Sequence, residues 1–218
     1  MYITIHNKLF NILLIKDNLS QIKYISNQKK IENLFHFTMF DYLPEILKEG
    51  LYSRTKLRKE KTGKYKFTDN SRLDGKTSRI SISISHPNWK MFYYKRINLY
   101  DAEGWAILEL DPKILWELDC WFLPKNAASS SAIMTRKSSS FESFNDMFSG
   151  SNRSTSFPSN WTTDVQAEVM VKNLIHPKYI KKVVVENSMD MLYCQKICNS
   201  NIEIVVDKKL FGPRKVVC

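Results

Sequence analysis

The feature that most constrains the fold is a segment in which isoleucine alternates with serine, SRISISIS at residues 78–85. Ile80, Ile82 and Ile84 recur with a period of two, which predicts a strand with one apolar face and one face of hydroxyl groups. Such a strand needs neighbouring strands for its backbone hydrogen bonds and a second layer to cover its isoleucines. The chain must therefore form a sheet that is packed on at least one face.

Other short apolar segments supply the neighbouring strands. They read LFHFT (34–38), GWAILELD (104–111), VQAEVMV (165–171), IKKVVVEN (180–187) and IEIVVD (202–207). Helix signals are fewer: Asp41 and Gly50 bracket one short helix, and Pro112 opens a helical turn. This pattern predicts an α+β domain built on two small, mainly antiparallel sheets or on a split sheet, with a few short helices.

Length and composition limit the organisation of the chain. It has 218 residues, of which 43% are hydrophobic, so we expect a single domain over residues 1–218 with long loops. We interpret residues 1–30 as a variable lead-in made of a strand or short helix and a polar link. No apolar run is long enough to cross a bilayer, and residues 9–15 lack a signal-peptide cleavage site, so we expect a cytoplasmic protein.

The charge is strongly basic and clustered. The net charge is +11, and Glu60 is the single acidic residue between Arg54 and Lys66. The basic residues of that block, which we interpret as a loop, are Arg54, Lys56, Arg58, Lys59, Lys61, Lys64 and Lys66. A cluster of this kind neutralises phosphates, so nucleic acid is favoured as a partner over a merely soluble basic surface.

Residues 126–161 differ in character from the rest of the chain, because serine dominates and hydrophobic periodicity is weak. FESFNDMF, at residues 141–148, is the one candidate for an amphipathic helix there. A loop of this length inside a compact domain is either disordered or functional. The four cysteines do not have zinc-ligand spacing, so reduced thiols and no metal are expected.

Glu168 is a carboxylate in a segment that otherwise resembles a buried strand. A buried carboxylate is costly unless it is paired or used in function. Strand alternation places Gln166, Glu168, Met170 and Lys172 on one mixed face, opposite the valines, so Glu168 is predicted to lie on a polar face. A metal-dependent nuclease would need Glu-x-Lys and a separate Asp, which Asp164 and Lys172 match poorly.

His36 lies between Phe35 and Phe37 and is opposite to them in strand phase. If the two phenylalanines point into the core, His36 and Thr38 face a cleft. A satisfied structural histidine is the alternative.

Polar and basic residues also follow the isoleucine strand directly, namely Asn88, Lys90, Lys95 and Arg96. Cations at this place can hold a diphosphate or a developing negative charge. The equally favoured alternative is that these residues only begin a solvent-exposed helix. No glycine-rich phosphate loop is present, so a dinucleotide would have to be held in some other way.

Four motifs in order carry a family resemblance. They are LFHFTMFDYLPEILKEGLYSR (34–54), SISHPNWKMF (83–92), WAILELDP (105–112) and TTDVQAEVMV (162–171). Together they resemble the successive motifs of DarT-type DNA ADP-ribosyltransferases, and the resemblance extends from Leu34 to Asn187. It implies the α+β fold of ADP-ribosyltransferases, whose sheets form an NAD cleft without a Rossmann motif.

The resemblance also implies a function. Members of this family use NAD, and no metal, to attach ADP-ribose to thymine bases in single-stranded DNA. They act as the toxin of a toxin–antitoxin or anti-phage system, whose antitoxin carries a macrodomain that removes ADP-ribose. We therefore expect single-stranded DNA and a macrodomain antitoxin as partners, and no membrane.

Motif positions assign roles to individual residues. Glu168 matches the catalytic glutamate, and Lys90 is the favoured substitute for the family's catalytic arginine. The predicted cofactor-binding residues are His36, Phe37, Thr38, Gly50, Leu51 and Asn88. The predicted nucleic-acid-binding residues are Arg54, Lys56, Arg58, Asn126, Arg153, Trp161 and Gln166. Residues 126–163 match the substrate-facing loop.

Two departures from the family pattern matter. Tyr42 stands where the family often has asparagine, and Lys90 lacks the bidentate fork of an arginine. Two other functions are left open: the same transfer to RNA or protein, and non-enzymatic binding of nucleic acid through the basic residues.

Overall fold

The computed structural model describes residues 2–60, 77–98, 104–126, 139–151, 153 and 155–214, without the side chains of residues 2–14 and 60. The helices are α1 (Tyr2–Gln28), α2 (Leu43–Glu49), α3 (Arg54–Glu60), α4 (Trp89–Asn98), α5 (Ile114–Glu117), α6 (Phe141–Asp146) and α7 (Ser188–Ile197). The strands are β1 (Leu34–Met39), β2 (Leu51–Tyr52), β3 (Arg79–Ile84), β4 (Trp105–Leu110), β5 (Cys120–Leu123), β6 (Glu168–Lys172), β7 (Leu174–Ile175), β8 (Ile180–Val185) and β9 (Glu203–Val206). Short 3₁₀ turns span Phe40–Tyr42, Pro177–Tyr179 and Lys208–Phe211.

The described strands form one seven-stranded sheet in the order β5-β6-β3-β1-β4-β8-β9 and a small ribbon of β2 and β7. Neighbouring strands are antiparallel except β8 and β9, which are parallel and are connected by α7. The predicted α+β class is confirmed. Its strands are divided unequally between one large sheet and one ribbon.

The large sheet opens between two of its central strands. β1 pairs with β3 only at Leu34–Ile84 and Phe35–Ser83, whereas β1 stays paired with β4 as far as Met39. β3 instead continues alongside β6, from Ile82 back to Arg79. The two halves of the sheet therefore diverge beyond Phe35.

Both faces of this sheet are covered, as its largely buried strands require. The main core lies on the face of the β3 isoleucines and includes Ile22 of α1, Phe144 of α6 and Cys194 of α7. A second cluster on the other face packs Phe35 of β1 against Phe92 of α4. The isoleucine strand is thus confirmed, and helices cover its apolar face.

Two predictions for the basic and N-terminal segments were wrong. Residues 1–30, interpreted as a strand or short helix with a polar link, contain the 27-residue helix α1. Its buried residue Ile22 and its neighbours Leu19 and Ile25 recur every three residues, which is helical spacing. The basic segment that begins at Arg54 is not a loop at its start, because Arg54–Glu60 forms α3. Lys61, Lys64 and Lys66 lie outside the described residues.

The strand expected over residues 165–171 begins only at Glu168, and Asp41, expected to open α2, lies in the 3₁₀ turn before it. Other local predictions agree with the structure. The helix expected in FESFNDMF is α6, and the two strands expected after residue 180 are β8 and β9. Cys120, Cys194 and Cys198 are buried and free, and Cys218 lies outside the described residues. In the part of the chain that the structure describes, no helix is both long enough and apolar enough to cross a membrane.

Gly104, directly before β4, contacts Phe40, directly after β1. This contact gives a test of the packing at one end of these two central strands. The Phe40 backbone N–H donates to the Gly104 carbonyl at 3.0 Å, and a Cβ on residue 104 would overlap the buried Phe40 ring. Overpacking of this kind costs about 1–3 kcal/mol, so Gly104→Ala should lower the Tm by about 2–12 °C. Thermal unfolding followed by circular dichroism measures the change.

Gly212→Ala is the matched control. A Cβ at residue 212 meets no atom of the described chain within 4 Å, so its Tm should equal that of the wild type. Equal Tm values for the two variants would contradict the packing at Gly104.

Candidate active site

The site is organised around Glu168, the first residue of β6. Its side chain is buried, with 8% of the residue exposed, and lies on the face opposite the main core. Ser81 of β3 donates its hydroxyl to Glu168 Oε2 at 2.9 Å. Because Ser81 pairs with Met170 in the ladder, the serine and the glutamate are diagonal neighbours on one face of the sheet. This hydrogen bond fixes the orientation of a buried carboxylate.

His36 of β1 is held by the same serine. Its Nδ1 lies 2.8 Å from the Ser81 carbonyl oxygen, and a carbonyl only accepts, so Nδ1 carries the proton. In the neutral ring, Nε2 is then the acceptor. This contact crosses from β1 to β3 at the point where the two strands diverge. Ser81 therefore links His36 through its backbone and Glu168 through its side chain.

The side chains of β1 and β6 point to the predicted faces of their strands, but two of them are more buried than expected. Phe35 belongs to the second cluster, and Phe37 stacks on Phe92 with ring centroids 4.7 Å apart. Thr38 is buried and does not face an open cleft. Glu168 lies on the predicted face, opposite Val169 and Val171 of the main core, but it is buried and not exposed.

Gln166, which was expected to share the strand face of Glu168, precedes the strand. It is half-buried in the turn before β6, and its backbone N–H donates to Asp164 Oδ1 at 2.8 Å. Asn126, another predicted DNA contact, is half-buried beyond the end of β5.

Arg79 is a residue that the sequence reasoning missed. Only 6% of it is exposed, and its guanidinium donates to the Met170 carbonyl at 2.9 Å and to Asp119 Oδ1 at 2.9 Å. The same guanidinium lies 3.7 Å from the centroid of the Trp121 ring. Arg79 therefore joins β3, β5 and β6 beneath the site. Its position on the serine face of the alternating strand was the available signal.

Arg79 and the neighbouring Lys172 also change the pKa of Asp119, the ion-pair partner of Arg79. Burial raises the pKa of Asp119, but hydrogen bonds and positive charges from Arg79 and Lys172 outweigh burial and hold its pKa below the usual range. Asp119 is therefore ionised at neutral pH and neutralises the buried guanidinium.

Asn88 and Lys90 have different surroundings. Asn88 is buried, and its Oδ1 accepts from the Met91 backbone N–H at 3.2 Å, so it caps α4. Its own backbone N–H donates to the Ser83 hydroxyl at 3.1 Å. Lys90 is exposed on the first turn of α4. The structure therefore gives Asn88 a capping role, and the role of Lys90 in the site stays a prediction.

Gly50 and Leu51 lie where α2 gives way to β2. Gly50 has φ +101°, and a Cβ there would lie 2.6 Å from the Ile175 carbonyl oxygen, so only glycine fits without strain. Leu51 is buried and pairs with Ile175. These contacts explain both residues through packing, and their role in holding a cofactor stays a prediction.

The loop before β6 is held by two arginines. Arg153 donates to the carbonyl oxygens of Pro158, at 2.9 Å, and Trp161, at 2.7 Å. Arg214 donates to the Thr162 carbonyl at 2.7 Å, and its guanidinium lies 5.1 Å from the centroid of the Trp161 ring. The predicted DNA ligand Arg153 therefore also fastens the loop. Arg214 was missed because it is distant from the loop in sequence.

Trp161 is half-buried between Arg214 and Phe157, whose ring centroid lies 6.2 Å from that of Trp161. Burial lowers the pKa of Arg214 to about 10, with an opposing contribution from Asp164. The guanidinium is thus still a cation at neutral pH.

The predicted DNA ligands Arg54, Lys56 and Arg58 lie on α3, away from β3 and β6 in sequence. The Ser53 hydroxyl accepts from the Lys56 backbone N–H at 3.3 Å, which caps the start of this helix. Within the described ranges, no group of three or more His, Cys, Asp or Glu residues is arranged to hold a metal ion.

Solved structures share this architecture. Thermosipho africanus DarTG in complex with ADP-ribose superposes with a TM-score of 0.58 and 21% identity, over 83% of this chain and 51% of that chain. Thermus sp. 2.9 DarT in complex with NAD+ gives 0.51 and 13%, over 83% and 97%. The same protein in complex with ADP-ribosylated ssDNA gives 0.53 and 12%, over 84% and 97%.

At these identities the likeness shows the fold, which is ADP-ribosyltransferase-like. This chain spans about half the length of the Thermosipho protein. A search of curated protein sequences finds no match.

The family is shown by sequence. A family model described as "ssDNA thymidine ADP-ribosyltransferase, DarT" matches residues 35–211, and the chain belongs to this family. The predicted resemblance is thereby confirmed, and it extends 24 residues beyond the Asn187 limit expected from the motifs (211 − 187).

The buried arginine beneath the site gives a stability prediction. Arg79→Met should lower the free energy of unfolding by about 3 kcal/mol, the low end for breaking a buried ion pair, because Asp119 is half exposed. Urea unfolding at pH 7 measures this difference. The difference should narrow as the pH falls below about 4, since the lowered pKa of Asp119 adds stability only where its carboxylate is ionised.

Lys172→Met is the control for this prediction. Lys172 contacts the same carboxylate at 3.2 Å but is half exposed, so its loss should cost at most about 1 kcal/mol. If both variants lose the same free energy of unfolding, burial of the Arg79 guanidinium does not make its ion pair with Asp119 more stabilising than that of Lys172.

Proposed function

We propose that this protein transfers ADP-ribose from NAD to thymine bases of single-stranded DNA. The observation that carries the proposal is the buried, oriented carboxylate of Glu168 at the opening of the sheet, linked through Ser81 to His36. Membership of the DarT family over residues 35–211 agrees with it. The structures of relatives in complex with NAD+ and with ADP-ribosylated ssDNA support the same substrate classes.

Glu168 supplies the negative charge that this reaction needs. NAD provides a ribose whose bond to nicotinamide breaks, and positive charge develops on that ribose. A fixed carboxylate beside it stabilises this charge, and its effect is larger in a site that excludes water. Ser81 keeps Glu168 Oε2 in place before the substrate arrives. The carboxylate therefore needs little reorganisation during the reaction.

His36 and Phe37 are the residues proposed to hold NAD. Beyond Phe35, β1 and β3 diverge, and the opening between the two strands is the proposed place of the ribose whose bond to nicotinamide breaks. His36, oriented at Nδ1 by Ser81, borders this opening. Thr38, Gly50, Leu51 and Asn88 remain predicted cofactor contacts.

The acceptor base must lose a proton to become a nucleophile. Glu168 is suited to accept it, directly or with Lys90 acting on the base, and each such role contributes about 10²–10⁴-fold. The base must also enter the site unpaired, which favours single-stranded DNA.

The DNA strand is proposed to contact the loop before β6 and the basic residues of α3. Trp161 offers an aromatic face for stacking, and Arg214 beside it adds positive charge. Arg54, Lys56 and Arg58 are the proposed phosphate contacts, and Asn126, Arg153 and Gln166 the proposed contacts near the base.

The biological role follows from the family. We propose that the protein is the toxin of a toxin–antitoxin or anti-phage system in the cytoplasm, where its DNA target lies. The name DarTG of the Thermosipho protein supports an antitoxin partner, and we propose that this partner is a macrodomain protein that removes ADP-ribose.

Glu168→Gln tests the central assignment. The amide keeps the size of the side chain but not its charge, so transfer to a thymine-containing oligonucleotide should fall by at least about 10²-fold. Mass spectrometry of the oligonucleotide after incubation with NAD measures transfer, and a thermal shift with NAD should persist. Full activity in this variant would refute the role of Glu168.

Ser81→Ala should give an intermediate loss of about 10-fold in kcat, since it removes one hydrogen bond to a charged group. Ser85→Ala is its matched control, because the Ser85 hydroxyl is buried and has no hydrogen-bond partner among the described residues. The control should keep wild-type activity.

Lys90→Ala tests the cation of the site. Lys90 is exposed, so the variant should fold normally but lose about 10²-fold in transfer, and Lys90→Arg should retain activity. Asn88→Asp, which preserves the helix cap, and Arg96→Lys are the comparison variants. If Lys90→Ala is active and one of these is not, the cation has been assigned to the wrong residue.

Incubation with NAD and equal amounts of DNA, RNA and protein, followed by mass spectrometry, separates the alternatives. Modification of thymine in single-stranded DNA alone is expected. Modification of RNA or protein instead, or DNA binding without any thermal shift by NAD, would replace the proposed function.

A further inference from the structure

The N-terminal helix α1 lies outside the segment that matches the family model, which begins at residue 35. The helix nevertheless contacts the loop before β6 at several places. We call residues 139–161 of that loop the target-facing segment. Arg153 within it and Trp161 at its end are among the proposed DNA contacts, so an element that fixes this segment can act on the target without touching NAD.

The first contact is made by Asn18. Its Nδ2 donates to the Ser139 carbonyl at 2.9 Å, and its Oδ1 accepts from the Phe141 backbone N–H at 2.6 Å. Phe141 opens α6, and the first N–H groups of a helix have no partner within the helix. Asn18 therefore caps α6 from another element and fixes the beginning of the target-facing segment.

The second contact lies at the C-terminal end of α1. Lys30 has φ 55°, and the Ile31 N–H donates to the Ser26 carbonyl at 3.0 Å, which closes the helix in a left-handed turn. The carbonyls beyond this turn cannot bond within the helix. The Lys29 carbonyl accepts from the Ser159 hydroxyl at 3.2 Å.

The Lys30 carbonyl accepts from Asn160 Nδ2 at 3.4 Å. Trp161 follows Asn160 directly, so these bonds fix the end of the target-facing segment beside the proposed stacking residue.

The third contact is the Lys29 side chain. Its Nζ lies 4.6 Å from the centroid of the Phe148 ring, and Phe148 is buried against Phe144 of α6. Burial, and then the charge of Arg153, lower the pKa of Lys29. The lysine thus lies between α1 and the middle of the target-facing segment.

We infer that α1 is a positioning element for the nucleic-acid target: by holding both ends of the target-facing segment, it sets the place of Trp161 relative to Glu168. This inference rests on the proposed function, which gives that segment its target. The helix acts on the target through the segment, so loss of its contacts with the segment affects the DNA step and spares NAD binding.

Asn18→Ala and Lys29→Met test the inference from the helix side, with the full chain in each case. Each should lower kcat/KM for a thymine-containing oligonucleotide by about 10-fold, the effect of one or two hydrogen bonds or one cation–π contact. The dissociation constant for NAD should stay equal to that of the wild type. Lys29→Arg, which keeps a cation over Phe148, should restore activity.

Ser20→Ala is the matched control, because Ser20 is exposed and its hydroxyl donates within α1, to the Lys16 carbonyl at 2.8 Å. The salt dependence of DNA binding separates positioning from direct contact. A lost phosphate contact reduces the slope of log K against log salt by about one, whereas a positioning role leaves the slope unchanged.

Three outcomes would overturn the inference: wild-type kcat/KM in both Asn18→Ala and Lys29→Met, parallel weakening of NAD binding, or a reduced salt slope. If the wild type itself modifies no thymine, the proposed function fails instead. A wild type that modifies thymine, with variants that do so equally well, overturns the role of α1 alone.

Discussion

The separation of β1 from β3 is the constraint on which the rest of this structure depends. The two strands share only two ladder pairs, at Leu34 and Phe35, and each then follows a different neighbour. An open sheet would leave backbone groups without partners, and His36 occupies part of the opening by donating to Ser81. The same serine orients Glu168. One strand residue therefore connects the two halves of the sheet and the two candidate functional side chains.

Some of the basic residues form hydrogen bonds that stabilise the fold, in addition to those proposed to contact DNA. Of 33 lysines and arginines, several arginines donate hydrogen bonds to acceptors within the protein. They are Arg79 with Met170 and Asp119, Arg96 with Phe211 and Glu186, Arg153 with Pro158 and Trp161, and Arg214 with Thr162 and Thr163. A guanidinium suits this purpose because its donors form a planar fork and its charge is retained on burial. Net charge alone therefore overstates how many cations can contact DNA.

The sequence predicted periodic features well and long-range ones poorly. Alternation located β3 and placed the valines of β6 in the core, and the motif order identified the family. Alternation does not say that both sheet faces are covered, so the burial of Thr38 and Glu168 was missed. The partners of Ser81 and Arg214 are distant along the chain, and no local pattern indicates them. The length of α1 was missed because Leu19, Ile22 and Ile25, which pack on the core, are separated by mostly polar residues.

Two arginines bind the backbone of the loop before β6. Arg153 donates to the carbonyls of Pro158 and Trp161, and Arg214 to those of Thr162 and Thr163. Every residue has a carbonyl, so these four bonds do not depend on which side chains residues 158 and 161–163 carry. An exposed position such as Pro158 can therefore change while the arginines still hold the backbone there. The recognition surface proposed for this loop can thus vary separately from the bonds that attach the loop to the rest of the protein.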